Sequence, residues 1–254
     1  GDATCAGAPV FTSAATAVNG NGAYTSTPAF VPGTAGVYRW RAFYGGDANN
    51  TAVGGACNDA GESATIDVVT PTLVTVASAG GMLGAPLTDQ ATLGGGYAPG
   101  GAIAFSLYGP NDATCANAPV FTASVAVNGN GIYTSPPYAP PAVGTYRWIA
   151  AYGGDANNAG VSGVCGDAGE SAAVGAAVPT IATVASAGGA IGVAVSDQAT
   201  LGGGFAPTGA LTFSLYGPDD AACASAPVFS STVAVAGNGS YVSSPFTPVV
   251  AGAY

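Results

Sequence analysis

Residues 72–110 read TLVTVASAGGMLGAPLTDQATLGGGYAPGGAIAFSLYGP, and residues 180–218, 108 positions later, read TIATVASAGGAIGVAVSDQATLGGGFAPTGALTFSLYGP. A fixed period of this kind means that one folding unit is repeated, so the fold must be sought within a single period and not across the whole chain. Trp40 recurs as Trp148 and Cys57 as Cys165 at the same spacing. Cys5 and Cys115 lie 110 apart because the first copy carries two extra residues between that Cys and its Trp. Taking Pro71-Thr72 and Pro179-Thr180 as junctions divides the chain into residues 1–70, the C-terminal part of one repeat; 71–178, a complete repeat; and 179–254, the N-terminal part of a third. Gly1 aligns with Asn111 and Tyr254 with Tyr146, interior positions of the repeat, so the expectation is a window on a longer array.

Within the complete repeat, alternating or β-branched runs are bounded by Gly, Pro and Asn, and no helical period is sustained. The pattern predicts seven strands, near residues 72–77, 87–93, 103–108, 120–127, 132–135, 145–152 and 171–174. Asn128-Gly129-Asn130-Gly131 predicts a hairpin between the fourth and fifth, since Asn and Gly tolerate the positive φ of tight turns. Tyr146, Trp148, Ala150 and Tyr152 alternate along the sixth strand and should face a core. Gly144 two residues before Tyr146 matches a tyrosine corner, which Tyr38 and Tyr254 repeat. The structural core is therefore expected to include Tyr38, Trp40, Tyr146, Trp148 and Tyr254. The fold class is all-β, with tandem immunoglobulin-like β-sandwich domains of about 108 residues.

The chain resembles the bacterial immunoglobulin-like repeats of the group 3 type. The resemblance rests on a Thr-Val strand, an A-T-L-x-G-G turn, a T-F-x-L-Y strand, a G-x-Y strand and the tail Tyr44-Gly45-Gly46-Asp47-Ala48-Asn49, repeated as Tyr152-Gly153-Gly154-Asp155-Ala156-Asn157. It implies a sandwich module of secreted or surface-anchored proteins, acting as stalk, spacer or adhesin segment, with no catalytic residues to carry over.

Each repeat contributes two cysteines, and the matching positions predict bridges Cys5–Cys57 and Cys115–Cys165, with Cys223 left for a partner outside the chain. Loops of this length make each bridge worth on the order of 4 kcal/mol in the chain-entropy model. Disulfides in turn point to an extracellular location.

Composition removes most chemistry. The chain has 41 Gly, no His, and 13 acidic against 3 basic residues, all Arg, for a net charge of -10. A nucleic-acid partner is excluded by that charge, and His or Lys catalysis by absence. No catalytic residue and no cofactor are expected. Asp47, Asn49, Asp155 and Asn157 offer oxygen ligands, yet calcium requires six to eight oxygens and no D-x-D-x-D-G loop gathers them; turn formation is the expected role, and Asp59, Glu62, Asp167 and Glu170 lie in similar loops. Adjacent Asp219-Asp220 do not suit a glycosidase pair. Arg39 and Arg147 share a position opposite the Trp, where they would meet a nearby Asp or a carboxylate of a neighbouring unit or chain. The uncharged stretch 171–196 is too rich in Ala and Gly, and too broken by Pro179 and hydroxyl residues, for a membrane span. Asn49-Asn50-Thr51 and Asn238-Gly239-Ser240 match glycosylation sequons.

The resulting expectation is a non-enzymatic, disulfide-stapled array at a microbial surface, a filament or stalk that self-associates with identical chains or neighbouring repeats. The alternative is an adhesin or carbohydrate-binding module using sandwich-end loops, for which Tyr97, Tyr138 and Phe205 are the loop aromatics that would meet a glycan.

Overall fold

The protein, described by a computed structural model over residues 2–254, is all-β, with no helix among the described residues. The first repeat contributes β1 (Gly36–Arg39), β2 (Phe43–Tyr44), β3 (Val53–Gly54) and β4 (Ser63–Ile66), with β1 paired to β4 and β2 to β3. The middle repeat contributes β5 (Thr72–Ala77), β6 (Gly81–Met82), β7 (Asp89–Gly94), β8 (Ala102–Tyr108), β9 (Phe121–Ala126), β10 (Gly131–Thr134), β11 (Gly144–Tyr152), β12 (Val161–Ser162) and β13 (Ser171–Gly175). The third repeat contributes β14 (Thr180–Ala185), β15 (Asp197–Gly202), β16 (Thr208–Leu215), β17 (Phe229–Ala236) and β18 (Gly239–Val242).

Two sheets build the middle repeat. One runs β10-β7-β5; the other runs β6-β13-β11-β8-β9, with β12 joining the end of β11. Every pairing is antiparallel except β6 with β13, which is parallel. The first strand of the repeat thus divides, β5 in one sheet and β6 in the other. Gly80 is what lets the backbone cross: a Cβ built there would lie 1.9 Å from the Ala173 carbonyl oxygen.

Period-two alternation decides which side chains meet between the sheets. Asp89, Ala91 and Leu93 point inward from β7, Ile103, Phe105 and Leu107 from β8, and Tyr146, Trp148, Ala150 and Tyr152 from β11; all are buried. Trp148, with no exposed surface, takes the rings of Phe105 and Phe121 edge-on at 6.5 and 6.0 Å. Such geometry adds about 1 kcal/mol per pair beyond burial. The phenol of Tyr146 donates to the Ala142 carbonyl at 2.9 Å, closing the corner before β11, and Tyr38 and Tyr254 make the same bond to Thr34 and Val250.

Two expectations are corrected here. Residues 128–131 do not form a hairpin, because β9 pairs with β8 in one sheet and β10 with β7 in the other. The segment is an arch between sheets: the Tyr133 hydroxyl accepts from Asn128 N–H at 3.0 Å and donates to the Gly129 carbonyl at 2.7 Å, while the Asn130 amide bonds both backbone groups of Gly96. Trp40 and Tyr254 are not core residues in this chain. Each is 37 % exposed and Tyr38 is half-buried, because residues 2–70 hold no counterpart of β5, β7 and β8 to cover them, and nothing in residues 179–254 stands in for β11 and β13 around Tyr254. Phe11, Phe30 and Tyr38 form a chain of rings beside Trp40 in place of a closed core.

Candidate functional site

Three constellations organise polar chemistry, two in loops and one within the core. The first is the loop after β11. Asp155 is its hub: its carboxylate accepts from the N–H groups of Gly100 at 2.6 Å, Asn157 at 2.8 Å and Asn158 at 2.9 Å, from the Asn158 amide at 2.8 Å and from the Tyr152 hydroxyl at 3.0 Å. These donors, Gly100 and Asn157 foremost, hold the Asp155 carboxyl well below the usual range. Burial, with Asp155 beside it, pushes the Tyr152 phenol up to about 12. Asp47 repeats the arrangement, accepting from Asn49 N–H, Asn50 N–H, the Asn50 amide and the Tyr44 hydroxyl, and its carboxyl is lowered to about 2.

The carboxylates offered by sequence as calcium ligands therefore already accept from N–H and O–H donors, and a cation would have to displace those bonds. No group of three or more His, Cys, Asp or Glu is assembled for a metal among the described residues. Asn157 and Asn158 divide the remaining work. The side chain of Asn158, 2 % exposed, bonds the Tyr97 N–H at 2.8 Å and carbonyl at 3.0 Å. Asn157 instead reaches the preceding repeat, accepting from Ala35 N–H at 3.0 Å and donating to the Gly33 carbonyl at 3.3 Å.

The second constellation is the staple. Cys115, between β8 and β9, is bonded to Cys165, between β12 and β13, and Cys5 to Cys57 in the first repeat; both pairs have Cα atoms 5.8 Å apart. Cys223 is a free, exposed thiol. Asp112 shapes the Cys115 loop by accepting from the N–H groups of Thr114, Ala116 and Asn117, and Asp2 and Asp220 do the same in the other copies. Asp219 accepts from Ala253 N–H, so both members of the Asp219-Asp220 pair are engaged in bonds to nearby backbone N–H groups. Arg147 donates to the Asp112 carbonyl at 3.1 Å, Arg41 to the Gly55 carbonyl at 3.1 Å, and Arg39 to Asn58 and the Asp2 carbonyl. Arg39 and Arg147 thus tie their own disulfide loops, where sequence had suggested an Asp or a neighbour's carboxylate.

The third constellation was missed by sequence reasoning, which placed Glu170 among solvated loop acids. Asp89 is fully buried, Glu170 is 2 % exposed, and none of their four carboxyl oxygens has a hydrogen-bond partner; the Trp148 indole N–H is likewise unpaired. They come from opposite sheets at one level of the sandwich. Asp89 stands opposite Ala77, whose backbone N–H donates to the Gly169 carbonyl, and the backbone N–H of Trp148 donates to the Glu170 carbonyl. Burial pushes Asp89 up to about 6. Burial first, then the charges of Asp89 and Asp167, push Glu170 up to about 7, with the Thr75 hydroxyl acting in the opposite sense. The signal was in the sequence: Asp89-Ala91-Leu93 and Glu170-Ala172-Val174 each share one period-two face.

Of the loop aromatics, Tyr138 packs against Phe121 and Tyr146 at the core edge, while Tyr97 and Phe205 are 51 % and 43 % exposed. The amide of Asn238 bonds both backbone groups of Gly204, so that sequon is engaged within the fold. The concavities of the first and third repeats are lined by Phe11, Trp40, Phe213, Phe229 and Phe246. Phe11, Trp40, Phe213 and Phe229 are counterparts of the middle repeat's Phe121, Trp148, Phe105 and Phe121, so the concavities are lined by residues that form the core in the middle repeat. No helix among the described residues is long and apolar enough to cross a membrane. Comparison with family models, curated proteins and solved structures finds no match.

Proposed function

We propose that the chain is a non-enzymatic, extracellular structural segment, a tandem array of immunoglobulin-like sandwiches of the group 3 type that serves as a surface stalk or filament and self-associates through neighbouring repeats. The observation that carries this reading is the repeat itself. One complete copy buries an aromatic core, carries its own disulfide, and engages the loop carboxylates of Asp112 and Asp155 in hydrogen bonds to nearby backbone groups. The division of the first strand between two sheets and the tyrosine bond before β11 support the immunoglobulin-like reading. Two disulfides are compatible with an oxidising compartment.

Electron microscopy of native, unreduced material tests the proposal. Elongated arrays or ordered filaments with an axial repeat matching whole sandwiches are the expected result. Compact, unrepeated particles would refute it. The second reading, a glycan-binding module, is favoured by one observation, the exposed ring of Tyr97. Saturable shifts of the Tyr97 signals on titration with soluble glycans would establish it, and unchanged signals would remove its support.

A further inference from the structure

The bond from Asn157 to the preceding repeat belongs to a larger meeting of surfaces. Val69, just before the junction, forms a parallel bridge with Asn158: Val69 N–H donates to the Asn157 carbonyl at 2.8 Å, and Ala159 N–H donates to the Val69 carbonyl at 2.8 Å. Together with the two side-chain bonds of Asn157, four hydrogen bonds cross from the middle repeat to residues 33–35 and 69 of the first. The receiving corner is the one closed by the Tyr38 hydroxyl on Thr34, so its backbone groups are held in place before anything docks.

The next junction brings the same ends of the sandwich together through different atoms. Residues 179–254 hold no counterpart of the 153–158 loop. They do carry Phe205, the counterpart of Tyr97, and a Cβ built on Gly84 of the middle repeat would lie 3.2 Å from its ring. Gly84 belongs to the corner end, since its N–H donates to the Pro140 carbonyl. Tyr97 belongs with the Asn157 loop, since the Asn158 amide grips both its backbone groups. At both junctions, therefore, the end bearing the aromatic turn, which in the middle repeat also carries the Asp-Ala-Asn-Asn loop, meets the end bearing the tyrosine corner of the repeat before it.

We propose that the loop of residues 153–158 is a docking surface for the preceding copy of the repeat, with Asn157 as the residue that recognises that copy's corner backbone. It is preorganised: Asp47 holds Asn49 and Asn50 through the same bonds in the first repeat, where no described residue bonds the Asn49 side chain, as Asp155 makes to Asn157 and Asn158. Little ordering is then lost on contact. Recognition of backbone groups by a neutral amide suits a chain with 3 cations, which cannot supply ion pairs at every junction. Asn49, the counterpart of Asn157, carries the same surface on the first repeat. Rigid coupling of consecutive sandwiches, in contrast to free jointing, is the consequence.

This inference rests on the structural-array reading, and amide hydrogen exchange on the full chain separates the two. In the wild type, Ala35, Val69 and Ala159 amides should be protected. Asn157→Ala should speed exchange at Ala35 about tenfold, the scale of one lost hydrogen bond, and loosen Val69 and Ala159, while the Trp148 amide stays unchanged as a reporter of the intact sandwich. Asn157→Asp, which keeps the acceptor for Ala35 N–H and loses the donor to Gly33, should fall between. Unprotected Ala35 and Val69 amides in the wild type, or protection unaltered in Asn157→Ala, would overturn the clamp and leave the array reading standing. Protected amides in material that is compact and unrepeated under the microscope would instead refute the array reading alone.

Discussion

Replacing Glu170 by Gln keeps the side chain's shape and removes its ionisation, so it isolates what the buried acid layer costs. Burial raises Glu170 from 4.5 to about 7 and Asp89 from 3.8 to about 6. At 1.36 kcal/mol per unit, a shift of about two units is roughly 3 kcal/mol for each group, which screening by water at the strand edges reduces to about 2 kcal/mol. Both folded values lie above the unfolded ones. Folding therefore takes up protons between about pH 4 and pH 7: the stability is fully present below the unfolded values and is lost as pH rises through the folded ones. Asp47 and Asp155 act in the opposite sense, their lowered carboxyls supporting the fold above about pH 4 and failing it only in stronger acid. A stability maximum near pH 4 to 5 follows. For a sandwich of this size about 1 kcal/mol corresponds to about 4 °C. Calorimetry should find the principal transition about 8–16 °C lower at pH 8 than at pH 4.5. Glu170→Gln should recover about half of that fall at pH 8 and flatten the profile. A wild-type melting temperature level from pH 4.5 to pH 8, or a Glu170→Gln profile as steep as the wild type, would refute the reasoning.

Thiol titration of unreduced protein should find one reactive group per chain, lost in Cys223→Ser, and paired replacement of Cys115 and Cys165 by Ser should lower stability by up to about 4 kcal/mol in denaturant melts. Acrylamide should quench the fluorescence of Trp40 and spare that of Trp148, so Trp40→Phe should leave an emission that is blue-shifted and nearly unquenched. Gly80→Ala should cost about 2–4 kcal/mol or abolish folding of the middle repeat, since its Cβ meets the backbone of Ala173; a melt within 1 °C of wild type would show that β6 does not need to cross between the sheets there.

Strand positions were legible because alternation is written residue by residue. The bounds of β5 match the predicted 72–77, and those of β8, β11 and β13 lie within a residue of the expected ones. β6 and β12 were not legible: with two residues each they have no period to display, and they exist because Gly80 passes under Ala173 and because the end of β11 offers open backbone to Val161 and Ser162. The Asn-Gly run showed where the chain turns but not which sheet takes up the next strand. That choice is made at a distance, by Asn130 on Gly96 and Tyr133 across the arch. Asp155 was readable as a turn former, whereas Asn157 was not readable as a link between repeats, because its partners Gly33 and Ala35 are remote in sequence.

The same residue type at the same repeat position also meets different fates, and burial alone distinguishes them. Trp148 is fully buried beside Phe105 of β8 and the ring of Phe121, while Trp40 has the ring of Phe11 from its own segment beside it. β5 alternates between exposed and half-buried positions, and β14, nearly identical in sequence, is exposed at every position. Local hydrogen bonds do not follow that division. The tyrosine bond before β11, the Tyr133 arch and the aspartate-capped cysteine loop each occur in all three copies, whether or not a core lies beneath them. Turn and corner geometry is thus encoded within short stretches and survives without tertiary cover, so the corners that receive a neighbour's Asn are already shaped when sheet packing arrives. Exchange protection should accordingly be lost in two stages on heating, first at the exposed strands of the third repeat and later at β8 and β11. Simultaneous loss at β14 and β11 would mean that the junctions couple the repeats into one cooperative unit.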